Sequence, residues 1–185
     1  MVVSILYSSF KMIVTKKHVF FFKDWLSNFT YAPFFILTNK HGYQNFKTSE
    51  QAFMFFKAET FEDEAICNKI IKTETPQQAK TLGRLVSNYR DDIWSTLRFT
   101  VMYSCNYHKY DQNKNLFLKL KNPEFDGLTF AEASPFDKIW GIGLDANKVS
   151  LDYLDNEDNW YGENLMGKVI TSVRRDLIEH YQKCK

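Results

Sequence analysis

Short apolar runs near the start give way to longer stretches with helical spacing. Residues 19–22 and 34–37 are apolar and β-prone. They flank a turn-rich segment over residues 24–31 and read as short strands. A helix is predicted to begin at Thr48. Thr48 and Gln51 have the spacing of a capping box, in which hydroxyl and amide satisfy opposing backbone N–H groups, and Phe53, Met54 and Ala58 follow on one stripe. A second helix is predicted from Thr75, with Pro76 in its first turn, Gln78 closing another box, and Leu82, Leu85 and Val86 facing inward. Asp91 and Asp92 open a third, along which Ile93, Trp94, Leu97, Val101 and Met102 recur at helical spacing. Further helices are expected over residues 113–120 and 165–181, the latter burying Val169, Ile170, Val173, Leu177 and Ile178. Residues 125–159 break the pattern with acidic residues, a Thr129-Phe130-Ala131 run and dense turn formers. Loops of this kind on a helical frame are where sites tend to sit. The expected architecture is a mainly α single domain over residues 18–185 with a few short strands, preceded by an extension over residues 1–17.

A length of 185 residues suits one sizeable core, and no repeat or Pro/Gly/Ser-rich linker divides it. Aromatic residues reach 17%. Most of the 17 Phe are assigned to the core, but some rings are available to stack on nucleobases. The formal charge of +2 imposes no strong field, so dedicated duplex DNA binding is not the default. Cys67, Cys105 and Cys184 form no CxxC pair, and His18, His41, His108 and His180 lack metal-ligand spacing. No disulfide framework, metal or cofactor is expected. The apolar start has no preceding basic residue and is too short to span a bilayer. It predicts neither a signal peptide nor a membrane anchor, and a cytoplasmic protein is expected.

Four blocks recur in fixed order: Leu26-Ser27-Asn28-Phe29; Ser49-Glu50-Gln51 through Lys57-Ala58; Glu132-Ala133-Ser134-Pro135-Phe136-Asp137 with Trp140-Gly141-Ile142-Gly143; and Trp160-Tyr161-Gly162-Glu163-Asn164 with Gly167. Ala79 to Arg84 lies between them. The series resembles the NADAR (YbiA-like) family over residues 19–177, with mild departures at Tyr110 and Met166. That resemblance implies a mainly helical fold and hydrolysis of N-glycosidic bonds. The substrates it implies are riboflavin-pathway intermediates such as a ribosylaminopyrimidine phosphate, or an ADP-ribosylated guanine nucleotide, with ADP-ribosylated nucleic acid as a further partner.

Residue by residue, the chemistry is compatible with that resemblance. Breaking a C1′–N bond builds positive charge on the sugar, which a fixed carboxylate stabilises. Glu50 falls in a first helical turn, where the dipole favours its ionised form by about 0.3–1 kcal/mol. It is expected to serve as an anionic stabiliser or a base for water rather than as the acid. Lys57 lies two turns on, roughly 10 Å along the same face, and is expected to share a pocket with Glu50 as an imine nucleophile or a phosphate holder. Glu132 and Asp137 bind ribose hydroxyls or protonate the departing nitrogen. Ser134 to Asp137 also reads as a helix start capped by Ser134. Gly141 to Ala146 spells GxGxxA, but no buried strand precedes it, so a dinucleotide fingerprint is rejected. Trp140 and Trp160 are stacking candidates with core packing as the alternative, and Gly141 permits the tight turn that aims Trp140. Lys80 and Arg84 share a helix face, with Arg84 a candidate phosphate grip. Lys109 matches a lysine recurrent in the family. Asn28, Phe29, Ser134 and Asn164 complete the candidate binding set. From another class, a non-catalytic module for ADP-ribose-like ligands would keep the aromatic and Arg84 contacts without the carboxylates.

Overall fold

The computed structural model describes residues 12–38 and 40–183. Among the described residues, five short strands and seven α-helices follow one another as β1 (Ile13–Val14), β2 (His18–Phe21), β3 (Phe34–Thr38), β4 (Gly42–Phe46), α1 (Ser49–Thr60), α2 (Glu64–Ile70), α3 (Pro76–Gly83), α4 (Asp91–Gln112), α5 (Lys114–Leu120), β5 (Thr129–Glu132), α6 (Leu151–Leu154) and α7 (Leu165–Lys183). The fold is mainly α, as the pattern predicts. Residues 1–11 of the expected extension, and Cys184, lie outside the described residues. Within that extension, Ile13 and Val14 already pair with Phe20 and Val19 of β2.

Strand β2 organises the interior. All four of its residues are buried, and successive side chains leave a strand on opposite faces. Val19 and Phe21 enter the main core formed by α1, α4 and α7. Phe20 points the other way, into a smaller cluster with Ile142, Leu144 and Leu154. β5 lies parallel to β2, with Phe21 opposite Glu132, so Phe130 joins the main core and Ala131 the smaller cluster. By the same alternation Glu132 shares the face of Phe130, towards the main core. The β3–β4 hairpin forms a separate two-stranded ladder, its inner side holding Phe34, Ile36 and Phe46.

Thr48 caps α1 by accepting from Gln51 N at 3.1 Å. The reciprocal half of that box is absent, because the Gln51 carboxamide instead accepts from Lys47 N and donates to the carbonyl of Ile70. The second box is complete: Thr75 accepts from Gln78 N and Gln78 accepts from Thr75 N. Leu85 and Leu97 are exposed rather than inward. No helix forms at Ser134–Asp137. A helix there would carry Glu132 away from β5, whereas Ser134 N turns back to the Glu132 carbonyl at 2.8 Å. Among the described residues, no helix is long and apolar enough to cross a membrane.

Candidate active site

Five residues in succession at the start of α1, Ser49 to Phe53, are buried, so the orphan N–H groups of this helix end need protein partners. The loop of residues 24–30 supplies one, since Glu50 N donates to the Asn28 carbonyl at 3.1 Å. Asn106 of α4 locks the same corner. Its amide donates to Asn28 Oδ1 and accepts from the Ser49 hydroxyl, both at 3.2 Å. Asn28, a predicted binding residue, thus positions Glu50 through backbone and side chain. Asn106 was missed. Its signal was a polar residue in the apolar stripe Met102, Cys105, Asn106 and Lys109 of α4.

Above this corner lies a cavity of about 630 Å³ walled by the 22–30 loop, one face of α3 and the segment after β5. Glu132, Ser134, Asp137 and Asp24 line it, as do Lys23, Lys80, Arg84 and Gln77. Gln77, Lys80 and Arg84 fall on one face of α3 because residues three and four apart are helical neighbours. Glu50 is only 5% exposed, and its Oε1 has no hydrogen-bond partner. Its carboxyl is within reach of the charges of Lys80, Asp137 and Arg84, all of which line this cavity, and it lies beneath the lining rather than in it.

The electrostatics correct one expectation. Burial pushes the Glu50 carboxyl up to about 7, with Asp137 adding to the rise and Lys80 and Arg84 opposing it. Desolvation therefore outweighs the helix dipole at this position. Glu132 rises to about 8, again first through burial and then through repulsion from Asp137 and Glu50. The Asp24 carboxyl is also raised by burial, partly offset by the Leu26 N–H and the Lys109 charge.

Other candidates fall in different places. Lys57 does not share the cavity. Its ammonium donates to the Gly83 carbonyl at 3.0 Å and sits 4.1 Å over the Tyr89 ring, closing the C-terminal end of α3. Two turns of α1 bring it to the last residue of α3, outside the cavity lining. Lys109 is fully buried beneath the 22–30 loop, donating to the Ser27 carbonyl at 3.0 Å. Burial lowers its pKa to about 7 against the opposing pull of Asp24. Trp140 packs edge-on against Phe53 of the main core. Trp160 lies against His18 and Phe20, its Nε1 donating to the Leu154 carbonyl. Neither indole is among the residues lining the cavity, and both make the packing contacts of the alternative reading. Asn164 stands in for a neighbouring strand beside β5. Its Oδ1 accepts from Glu132 N and its Nδ2 donates to the Phe130 carbonyl, both at 3.0 Å. Gly141 leaves no room for a side chain, since a Cβ would meet Ser134 Cβ at 2.8 Å and the Glu132 carbonyl at 2.9 Å. It fixes the segment that carries Ser134 and Asp137. Asp137 Oδ1 accepts from Ile139 N and Trp140 N. Phe29 and Arg84 line the cavity. Lys80, on the same helix face as Arg84, lines it too, as do Asp24 and Lys23, which carry no sequence signal of their own.

Fold and site together define a mainly helical domain whose central feature is a half-enclosed cleft with carboxyls held between a helix start and a strand end. The chain matches the NADAR domain over residues 19–178 and belongs to that family. It is similar to protein irg-1 of Caenorhabditis elegans, 38% identical over 71% of this chain and 61% of that protein. A protein of Acanthamoeba polyphaga mimivirus named as an N-glycosidase is 36% identical over 75% of this chain and 78% of its own. A Vibrio vulnificus riboflavin biosynthesis protein is 27% identical over 68% of this chain and 30% of its own. The chain thus spans a little under two thirds of the worm protein and under a third of the Vibrio protein. Among solved structures, the NMR structure of the E. coli protein YbiA superposes with a TM-score of 0.67 at 21% identity, covering 92% of this chain and 90% of that one.

Proposed function

We propose that this protein is an N-glycosidase that hydrolyses the C1′–N bond of a ribosylated amino-heterocycle. The observation that carries this reading is the pair Glu50 and Glu132: Glu132 lines the cavity, Glu50 is buried within reach of the Lys80, Arg84 and Asp137 charges that also line it, and burial raises the two carboxyls to about 7 and 8. Near neutral pH such a pair holds about one proton between two sites, which provides an acid and an anion together. Glu132 is the stronger proton holder and protonates the departing nitrogen. Glu50, with Lys80 and Arg84 favouring its charge, faces the positive charge building at C1′ and serves as base for water. The name of the mimivirus relative, an N-glycosidase, supports the same bond class, and the Vibrio relative is named for riboflavin biosynthesis. Riboflavin-pathway ribosylaminopyrimidine phosphates and ADP-ribosylated guanine are the substrates to test.

Lys109 replaces Lys57 as the candidate imine lysine because its amine lies directly behind the cavity wall, on the carbonyl of the lining residue Ser27, and the 22–30 loop must release it before it can add. A ribosylamine opens to expose C1′, and an amine that is half unprotonated near neutral pH adds there. The leaving amine departs with the Glu132 proton. Water, activated by Glu50, then cleaves the lysine imine to free the sugar and regenerate the amine.

The test is turnover of ribosylaminopyrimidine phosphate and of ADP-ribosylated guanosine by wild type and Glu50→Gln. Release of the free heterocycle by wild type, lost in the variant, is expected. No release from either substrate would overturn the reading. Binding that is unchanged in Glu50→Gln without any turnover by wild type would favour the non-catalytic module.

A further inference from the structure

With both indoles committed to packing, the cavity has another source of planar surface. Phe136, on the segment between Glu132 and Asp137, lines it and is 89% exposed. A single exposed phenyl ring is ordinary on a protein surface, but this one is held in place. Pro135 fixes its own φ immediately before it. Ser134 N is bound to the Glu132 carbonyl, and Asp137 Oδ1 holds Ile139 N and Trp140 N immediately after. The ring is therefore presented at the mouth by anchored residues on either side. Phe29, 37% exposed, lines the same cavity, and Lys80 lies 5.7 Å over its ring. Lys23 similarly lies 5.1 Å over Phe22. Among the described residues, none of Lys23, Lys80 and Arg84 is ion-paired with a carboxylate. Exposed rings interleaved with free cations form a surface suited to a flat heterocycle carrying phosphate.

We propose that Phe136, together with Phe29, is the stacking platform for the planar leaving group and the residue that selects substrates whose C1′ nitrogen belongs to an aromatic heterocycle. The catalytic meaning of this assignment rests on the glycosidase reading above, whereas the binding surface does not. Calorimetric titration of guanosine 5′-monophosphate and of ribose 5-phosphate into the full chain separates ring from phosphate. Phe136→Ala is expected to weaken the nucleotide roughly 5- to 150-fold, the range of one stacked base. Ribose 5-phosphate should change by less than about twofold, and Phe136→Trp should restore nucleotide binding. The ring is exposed, so its removal leaves the core intact, and matching circular dichroism melts verify this. Equal losses for both ligands, no loss for either, or no binding of the nucleotide by wild type would overturn the proposal. A short single-stranded oligonucleotide titrated in parallel distinguishes the source of the heterocycle. Tighter binding than the mononucleotide, still lost in Phe136→Ala, assigns the platform to a strand, and equal binding assigns it to a free nucleotide. Because these measurements need no turnover, an inactive wild type would refute the glycosidase reading alone.

Discussion

Glu50→Gln separates what this carboxyl does for catalysis from what it costs the fold. In the native protein it titrates near 7 rather than at its ordinary 4.5, because burial penalises the charge more than Lys80 and Arg84 repay it. A group that holds its proton more tightly folded than unfolded makes stability fall as pH rises between those two values. Below 4.5 the carboxyl is protonated in both states and contributes nothing. Above 7 it is ionised in both, and the full cost of burying the charge is present, about 3 kcal/mol at about 1.4 kcal/mol per pH unit. Glutamine keeps the shape and removes the charge. Its amide replaces one carboxyl oxygen without gaining a partner for the other, which takes back about 1 kcal/mol or more. The variant should then be about 1–2 kcal/mol more stable than wild type at pH 8.5, or roughly 2–8 °C higher in Tm for a chain of this size. Near pH 4 the advantage should vanish or reverse. Urea melts of both proteins at pH 4, 6 and 8.5, with turnover measured alongside, form the assay. A stability difference that does not grow with pH, or a variant less stable than wild type at pH 8.5, would refute the claim that Glu50 is held against its own desolvation.

Four further outcomes follow from the site. The kcat/KM profile should rise through about pH 7 as Glu50 ionises and fall through about pH 8 as Glu132 gives up its proton, and a single-limbed or flat profile would contradict the acid–anion pairing. Borohydride added during turnover should attach the sugar to Lys109, seen by peptide mass spectrometry. An adduct on Lys57, or none, would remove the imine route. Asn164→Ala strips partners from Glu132 N and the Phe130 carbonyl at a position with φ of 52°. It should cost about 2–4 kcal/mol in urea melts and lower kcat more than it raises KM, whereas unchanged kcat would make Asn164 purely structural. Lys57→Met should lower Tm by a few degrees through the lost α3 closure while retaining the acid–anion pH profile, and a changed profile would restore Lys57 to the site.

The sequence was most legible where local rules act alone. The Thr75 box, Pro76 and the period of α7 depend on neighbours within a few residues, and each element forms within a residue or two of its predicted start. Helix α2 went unseen although Asp63, capping Ile66 N, precedes Ile66, Cys67 and Ile70 at helical spacing, because seven residues give little periodicity to read. β5 is only four residues long and finds its partner β2 more than a hundred positions earlier, a pairing no local signal carries. The same distance explains the errors at the site. Counting along α1 put Lys57 beside Glu50, but Gly83 of α3 claims its ammonium, and that contact belongs to tertiary packing.

Glu50 shows why the type of residue was readable and its chemistry was not. A first-turn glutamate on an exposed helix is an ionised group favoured by the dipole. Here the start of α1 is driven into the protein by its own sequence. Ser49 and Gln51 are small or amide-bearing and satisfy partners on α4 and at the end of α2, while Ala52 and Phe53 belong to the main core. Once that end is buried, the carboxyl loses its water, and the loss exceeds what the dipole or two nearby cations return. Glu132 reaches the same condition by another route, through strand alternation that turns it onto the Phe130 face and Asn164 that holds its backbone there. The Glu50 charge then adds to the cost of ionising Glu132, and Asp137 adds to the cost for both. Two segments that would be unremarkable apart thus bring two carboxyls raised to about 7 and 8 into one electrostatic neighbourhood, and the proposed cleavage of a C1′–N bond depends on that neighbourhood.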